Sequence, residues 1–125
     1  GRLEGEKVAK LICSSKAIIA PSKVMETAGI VILDAAKFGI PAIVSDHGGF
    51  KEFVKNGVNG IYFKAGDVNS LINAMQRFIE EPELSEKLGN NAKDWFQNYK
   101  ERSEEYINSL EKFYYDVIKD YNKNI

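Results

Sequence analysis

The sequence predicts an α/β fold with a parallel sheet, and three observations predict it. Short continuous apolar runs at 17–20, 42–45 and 61–63 have the length and composition of strands buried on both faces. Amphipathic helical patterns alternate with those runs, as they do where parallel strands are joined by crossover helices. Gly, Pro and Asn-Gly signals punctuate the joints between strand and helix patterns.

Taken in order, 6–14 carries Val8, Ala9, Leu11 and Ile12 at near-helical spacing, a helix of two to three turns whose role is packing. Cys13 lies in the same pattern and reads as a core residue. Pro21 ends the first strand. From Gly29 to Phe38 the residues Ile30, Val31, Leu33, Ala35 and Ala36 predict a largely buried helix, stopped by a left-handed Gly39 and by Pro41. After the second strand comes a Gly-rich turn, Asp46-His47-Gly48-Gly49, and one or two helical turns from Phe50. Asn56-Gly57 and Asn59-Gly60 read as tight turns that want a positive φ. Asp67 is an N-cap for a helix with Leu71, Ile72, Ala74, Met75, Phe78 and Ile79 on one face. Pro82 opens a further helix carrying Leu84, Leu88 and Ala92, since its missing N–H costs nothing at that position. A last amphipathic helix runs from about Glu101 to Tyr121, roughly 30 Å at 1.5 Å per residue. Its stripe, rich in Tyr and Phe, is expected to pack on the rest of its own polypeptide, with self-association through this helix as the alternative. Three strands are few for a doubly wound domain, and half of a Rossmann-like domain would look like this.

Composition limits the function classes. At 125 residues with 44% apolar and 11% aromatic content, the chain suffices for one core. Seventeen basic residues against eighteen acidic ones leave no field that would draw nucleic acid. A single cysteine and a single histidine form neither an internal disulfide nor a metal site of ordinary type. No apolar stretch reaches the roughly 18 residues of a membrane span. A soluble, cytoplasmic protein is expected. The chain opens Gly-Arg-Leu, which is expected of a piece of something longer.

In open parallel sheets ligands bind outside the carboxyl ends of the strands, so the segments after Ala20, Ser45 and Phe63 share one edge. A helix start there presents free N–H groups and about half a positive charge. Gly29, Ile30 and Val31 therefore offer amides to an anion, most simply a phosphate, and Gly29 allows close approach. Glu26, just before the helix, suits the hydroxyls of a sugar, and Asp34, about one turn inside it, suits a ribose diol. Both also have ordinary readings, a solvated loop carboxylate and a dipole-favoured helix residue. Ser22 either shapes the pocket or serves only as a turn residue. Gly48 and Gly49 either admit a ligand to the backbone or only make the turn. His47 has no partner residue that would make it a base.

These residues resemble a known family. Pro21-Ser22, Glu26 with Asp34 after seven intervening residues, Gly39-Ile40-Pro41, Gly48-Gly49-Phe50-Lys51-Glu52, Asn56-Gly57-Val58-Asn59-Gly60 and Gly66-Asp67 stand in the order of motifs in family 4 glycosyltransferases of GT-B fold. The likeness is to the second half of their nucleotide-binding domain and covers about half the chain. It implies a Rossmann-like partial GT-B C-terminal domain over 1–98 with the amphipathic helix over 99–125. It also implies a retaining, metal-independent transfer of a sugar from a nucleoside diphosphate sugar, with no cofactor. Carried over, Glu26 is the catalytic residue holding the donor sugar. Ser22, Thr27, Ala28, Gly29, Ile30, Val31, Asp34, Gly48 and Gly49 then make the donor site, with the amides at 29–31 on the diphosphate and Asp34 on the ribose. The acceptor, a saccharide, lipid or other small molecule, would be bound by an N-terminal domain that precedes this chain, and the whole enzyme could sit peripherally at a membrane. This chain alone is not expected to catalyse transfer. The chain departs from the family pattern at two places. Thr27-Ala28-Gly29 stands where Gly-Phe-Gly is commoner, and Asp34 where a second Glu is usual.

The alternative class is a non-catalytic nucleotide-binding or interaction module on the same scaffold, which would have no need of Glu26. A phosphate-accepting regulatory domain is weaker still, with Asp46 as its one candidate.

Overall fold

The computed structural model describes residues 3–25 and 29–123. The elements run α1 (Gly5–Cys13), β1 (Ile18–Ala20), α2 (Ile30–Lys37), β2 (Ala42–Ser45), α3 (Phe50–Phe53), β3 (Gly60–Phe63), α4 (Val68–Glu80) and α5 (Pro82–Lys123). The three strands form one parallel sheet in the order β1-β2-β3, with Ile19 beside Ile43 and Ile43 beside Ile61. Every residue of β2 is buried, as a central strand between two helix layers requires.

Successive side chains of a strand point to opposite faces, and the core divides accordingly. Ala42 and Val44 pack with Ile32, Phe50, Phe53 and Val54 on one face. Ile43 packs with Ile61, Phe63, Ala74, Phe78 and Leu88 on the other. Helix α5 serves both layers: Leu84 and Leu88 join the second cluster, while Trp95 and Tyr99 join the first. Gly89 lies where α5 crosses the turn after α2, close against the Gly39 backbone and the Pro41 ring. Tyr62 closes the α3 end of the first layer by donating its hydroxyl to the Val54 carbonyl, and burial pushes its phenol above the ordinary value.

The end signals hold. Gly39 has φ +72° and closes α2, and Asp67 accepts the Ser70 amide at 3.0 Å as the cap of α4. Gly57 has the positive φ expected of its Asn-Gly pair. Gly60 does not, and its role is different: a Cβ there would sit 2.5 Å from the Ala42 carbonyl oxygen and 2.7 Å from Val54 Cγ1. Close approach of strands, rather than a turn, is what excludes a side chain. Its neighbour Asn59 is buried, donating to the Phe53 carbonyl and accepting from the Lys55 amide.

Five expectations are corrected. Cys13 is exposed, because Ile12 alone of α1 turns onto the core. Strand β1 is at the sheet edge, and Ile19 is 38% exposed, so it is covered on one face rather than two. Helix α2 is only partly buried, with Ile30 and Val31 exposed and Ile32, Ala35 and Ala36 inside. The helical patterns after Pro82 and after Glu101 join into a single 42-residue helix, since neither Gly nor Pro interrupts the backbone between Ala92 and Lys123. Its second half leaves the domain: from Glu104 to Lys123 every residue is exposed, so the aromatic stripe does not pack on the rest of the described chain. No helix among the described residues is long and apolar enough to cross a membrane.

Candidate functional site

The carboxyl ends of the strands gather their following segments on one edge, as the parallel topology dictates. Side chains from β2 and the residue after it stitch those segments together. Ser45, fully buried at the end of β2, donates its hydroxyl to the Ser22 carbonyl at 2.7 Å and toward the Ala20 carbonyl at 3.3 Å. Asp46 accepts the Ala65 amide at 3.0 Å and donates its own amide to the Phe63 carbonyl at 2.9 Å. The segments after β1, β2 and β3 thus form one rigid rim. Asp46 is occupied as a structural acceptor within it, which leaves the phosphate-accepting reading without support from geometry.

Between this rim and α2 lies a cleft of about 450 Å³, lined by Ala20, Pro21, Ser22, Gly29, Ile30, Val31 and Phe50. Gly29 is the N-cap of α2 and makes no side-chain cap. Its carbonyl accepts the Ile32 amide at 2.8 Å and, more weakly, the Leu33 amide at 3.4 Å. The amides of Gly29, Ile30 and Val31 have no hydrogen-bond partner among the described residues. Amides without a partner among the described residues, the positive end of the helix dipole and no carboxylate among the described lining suit an anion. Phe50, buried from α3, is the wall behind Gly29: a Cβ on Gly29 would lie 3.1 Å from its ring. The glycine and the phenylalanine are fitted to one another, so the backbone is set back and a ligand can approach it.

The structure brings Ser22, Gly29, Ile30 and Val31 into one cleft. The Ser22 hydroxyl turns into its own loop, donating to the Val24 carbonyl at 3.2 Å, so this residue shapes the loop. Asp34 is exposed and stands one turn farther along α2, outside the lining. Gly48, with φ +67°, and Gly49 are half-buried in the segment before α3 and deliver Phe50 to the cleft. Glu26, Thr27 and Ala28 lie outside the described residues. Both ring nitrogens of His47 are buried without a hydrogen-bond partner among the described residues, so none of these orients it as a base.

Sequence reasoning missed Ser45, Asp46 and Phe50 as the frame of the site. It also missed Lys23, which lines a neighbouring cleft of about 270 Å³ with Pro21, Phe63, Gly66 and Asp67. A cation two residues beyond a strand-ending proline was the available signal. Among the described residues no group of three His, Cys, Asp or Glu is placed to hold a metal ion.

Comparison with known proteins agrees with this geometry. N-acetyl-alpha-D-glucosaminyl L-malate synthase of Bacillus anthracis is 29% identical over 116 residues, 92% of this chain and 30% of that protein. Sucrose-phosphate synthase from Thermosynechococcus elongatus superposes with a TM-score of 0.74 at 30% identity, over 78% of this chain and 24% of its own. Anabaena HepE, solved in complex with UDP-glucose, gives a TM-score of 0.68 at 27% identity, over 71% of this chain and 24% of its own. The chain therefore spans a quarter to a third of the length of these relatives. The match to the family profile described as glycosyl transferases group 1 takes in residues 1–95, the whole sheet and its rim, and on that match the chain belongs to this glycosyltransferase family, as part of a GT-B C-terminal domain.

Proposed function

We propose that this chain binds the donor of a retaining, metal-independent glycosyltransferase that moves a sugar from a nucleoside diphosphate sugar to an acceptor. The observation that carries the reading is the cleft at the start of α2, where the amides of Gly29, Ile30 and Val31 have no partner among the described residues. HepE, a structural neighbour, is solved with UDP, with UDP-glucose and with UDP and glucose, which supports a donor of this type.

In this mechanism the diphosphate lies on the α2 N-terminus. As the glycosidic bond breaks, charge grows on the leaving phosphate, and fixed amides already aimed there stabilise it without reorganisation. Ser45 and Phe50 act by holding that helix start and its loop in place. Glu26 holds the donor sugar hydroxyls and positions the anomeric carbon. Asp34, at its distance from the cleft, takes the ribose on the outer side. The acceptor, a saccharide, lipid or other small molecule, is held by a domain outside this chain. The setting is the cytoplasm, with peripheral membrane association of the whole enzyme.

An amide-resolved NMR titration with uridine, guanosine and adenosine diphosphate sugars tests the reading. Shifts concentrated at Gly29, Ile30, Val31 and Asp34 are expected, and Glu26→Ala should remove the part of the shift that depends on the sugar. Titrations in which no nucleotide moves those amides, or in which Glu26→Ala changes nothing, count against it and favour an interaction module.

A further inference from the structure

Asparagine followed by glycine is the pairing most open to spontaneous deamidation, because no side chain shields the glycine nitrogen from the asparagine carboxamide. The chain has two such pairs, and the fold treats them differently. Asn59-Gly60 is closed to the reaction. Asn59 is buried with both ends of its carboxamide tied, Nδ2 donating to the Phe53 carbonyl at 2.9 Å and Oδ1 accepting the Lys55 amide at 2.6 Å, and Gly60 is pressed against Ala42. Asn56-Gly57 is exposed, and nothing lies within 4 Å of a Cβ on Gly57. Asn56 Nδ2, the group that would leave, has no hydrogen-bond partner among the described residues. Two bonds latch this pair all the same: the Tyr62 amide donates to Asn56 Oδ1 at 2.8 Å, and the Gly57 amide donates to the Gly60 carbonyl at 2.8 Å. A third, from Asn91 Nδ2 of α5 to the Val58 carbonyl at 2.8 Å, pins the tip of the turn.

We propose that Asn56 is a site of spontaneous covalent modification whose rate is set by the opening of this turn. When the latches part, the Gly57 nitrogen gives up its proton and attacks Asn56 Cγ. The Cγ–Nδ2 bond breaks, ammonia leaves with that proton, and a succinimide remains. Water then opens the ring. Cleavage of the new bond to Cγ gives aspartate, whose carboxylate can accept the Tyr62 amide again. Cleavage of the original peptide bond gives isoaspartate, which runs the main chain through Cγ and lengthens it by one methylene, so the pairing of Asn56 with Gly60 at the start of β3 is not restored. The closed turn holds the reaction back twice, since it engages the proton of the attacking nitrogen and fixes the carboxamide by its oxygen. The rate in the folded protein is therefore that of the unfolded chain scaled by the population of the open turn. The turn stands at the amino end of β3, opposite the ligand edge, so the proposal is independent of the donor reading.

The test incubates the full chain folded and in urea, and reads conversion at each asparagine by mass spectrometry of proteolytic peptides, with isoaspartyl methyltransferase labelling to mark isoaspartate. In urea Asn56 and Asn59 should convert at similar rates, ahead of the other asparagines. In the folded chain Asn56 should convert at least about tenfold more slowly than in urea, and Asn59 more slowly still. Asn91→Ala, which takes no part in the chemistry, should raise the folded rate at Asn56 several-fold while leaving the urea rate and the thermal midpoint in place. Folded conversion as fast as in urea, a folded rate indifferent to Asn91→Ala, or Asn59 keeping pace with Asn56 in the folded chain would each overturn the proposal.

Discussion

Gly89→Ala is expected to lower the stability of the domain by about 3 kcal/mol, more than an ordinary Gly-to-Ala change in a helix, which by propensity alone would stabilise. The added Cβ would stand 2.1 Å from the Gly39 carbonyl oxygen and 3.3 Å from Pro41 Cδ. Neither neighbour can yield cheaply. Gly39 is held at φ +72° as the end of α2, and Pro41 is buried at the entrance to β2. The crossing of α5 over this turn would have to open, and with it the link between the two core layers that α5 makes through Leu88 and Trp95. Thermal denaturation should show a midpoint roughly 10 °C lower for a domain of this size. Gly5→Ala is the control: nothing lies within 4 Å of its Cβ, and the midpoint should stay where it is.

Phe50→Ala is expected to cost about 3–5 kcal/mol and to damage the donor site in the same stroke. The side chain is 2% exposed, packs among Ile32, Phe53 and Val54, and forms the wall against which Gly29 is fitted. Truncation would leave a cavity in the first core layer and remove what keeps the start of α2 in register with the rim. Denaturant titration measures the first effect. Phe50→Leu separates the second, because it keeps most of the buried volume while withdrawing the ring from Gly29. It should stay folded yet bind nucleotide several-fold more weakly. Equal loss of stability and no loss of binding would make Phe50 a core residue only.

Much of this was legible in the sequence because it rests on local rules. The Asp67 cap, the left-handed Gly39, Pro82 at a helix start and the buried β2 all follow from residues within a few positions of one another. The same holds for the place of Gly29, Ile30 and Val31 at the start of a helix that follows a strand's carboxyl end. What was not legible depends on contacts distant in sequence. Ser45 reaching back to Ser22, Asp46 reaching forward to Ala65, and Gly60 pressed against Ala42 have no local signature. Periodicity alone did not say that Ile12 rather than Cys13 would turn inward, nor that Ile19 would lie on an uncovered face. The stripe of α5 was visible as a pattern, but a pattern says that a face is apolar and not what covers it. Glu26 was singled out by its place before the helix, Thr27 and Ala28 by the resemblance, and their role rests on the donor titration.

The most direct measurement of the central claim is the affinity of a nucleoside diphosphate for Ile30→Pro against the parent chain, by isothermal titration calorimetry. Ile30 is the first residue of α2, where proline keeps the helix because the lost N–H has no intrahelical partner. The substitution removes one of the three amides proposed to hold the diphosphate and keeps the helix, so circular dichroism should be unaltered. A hydrogen bond to a charged group is worth about 1.5–3 kcal/mol, so binding should weaken by about ten- to a hundredfold. A variant that is equally folded and binds the nucleotide as tightly as the parent would contradict the assignment of the diphosphate to the start of α2.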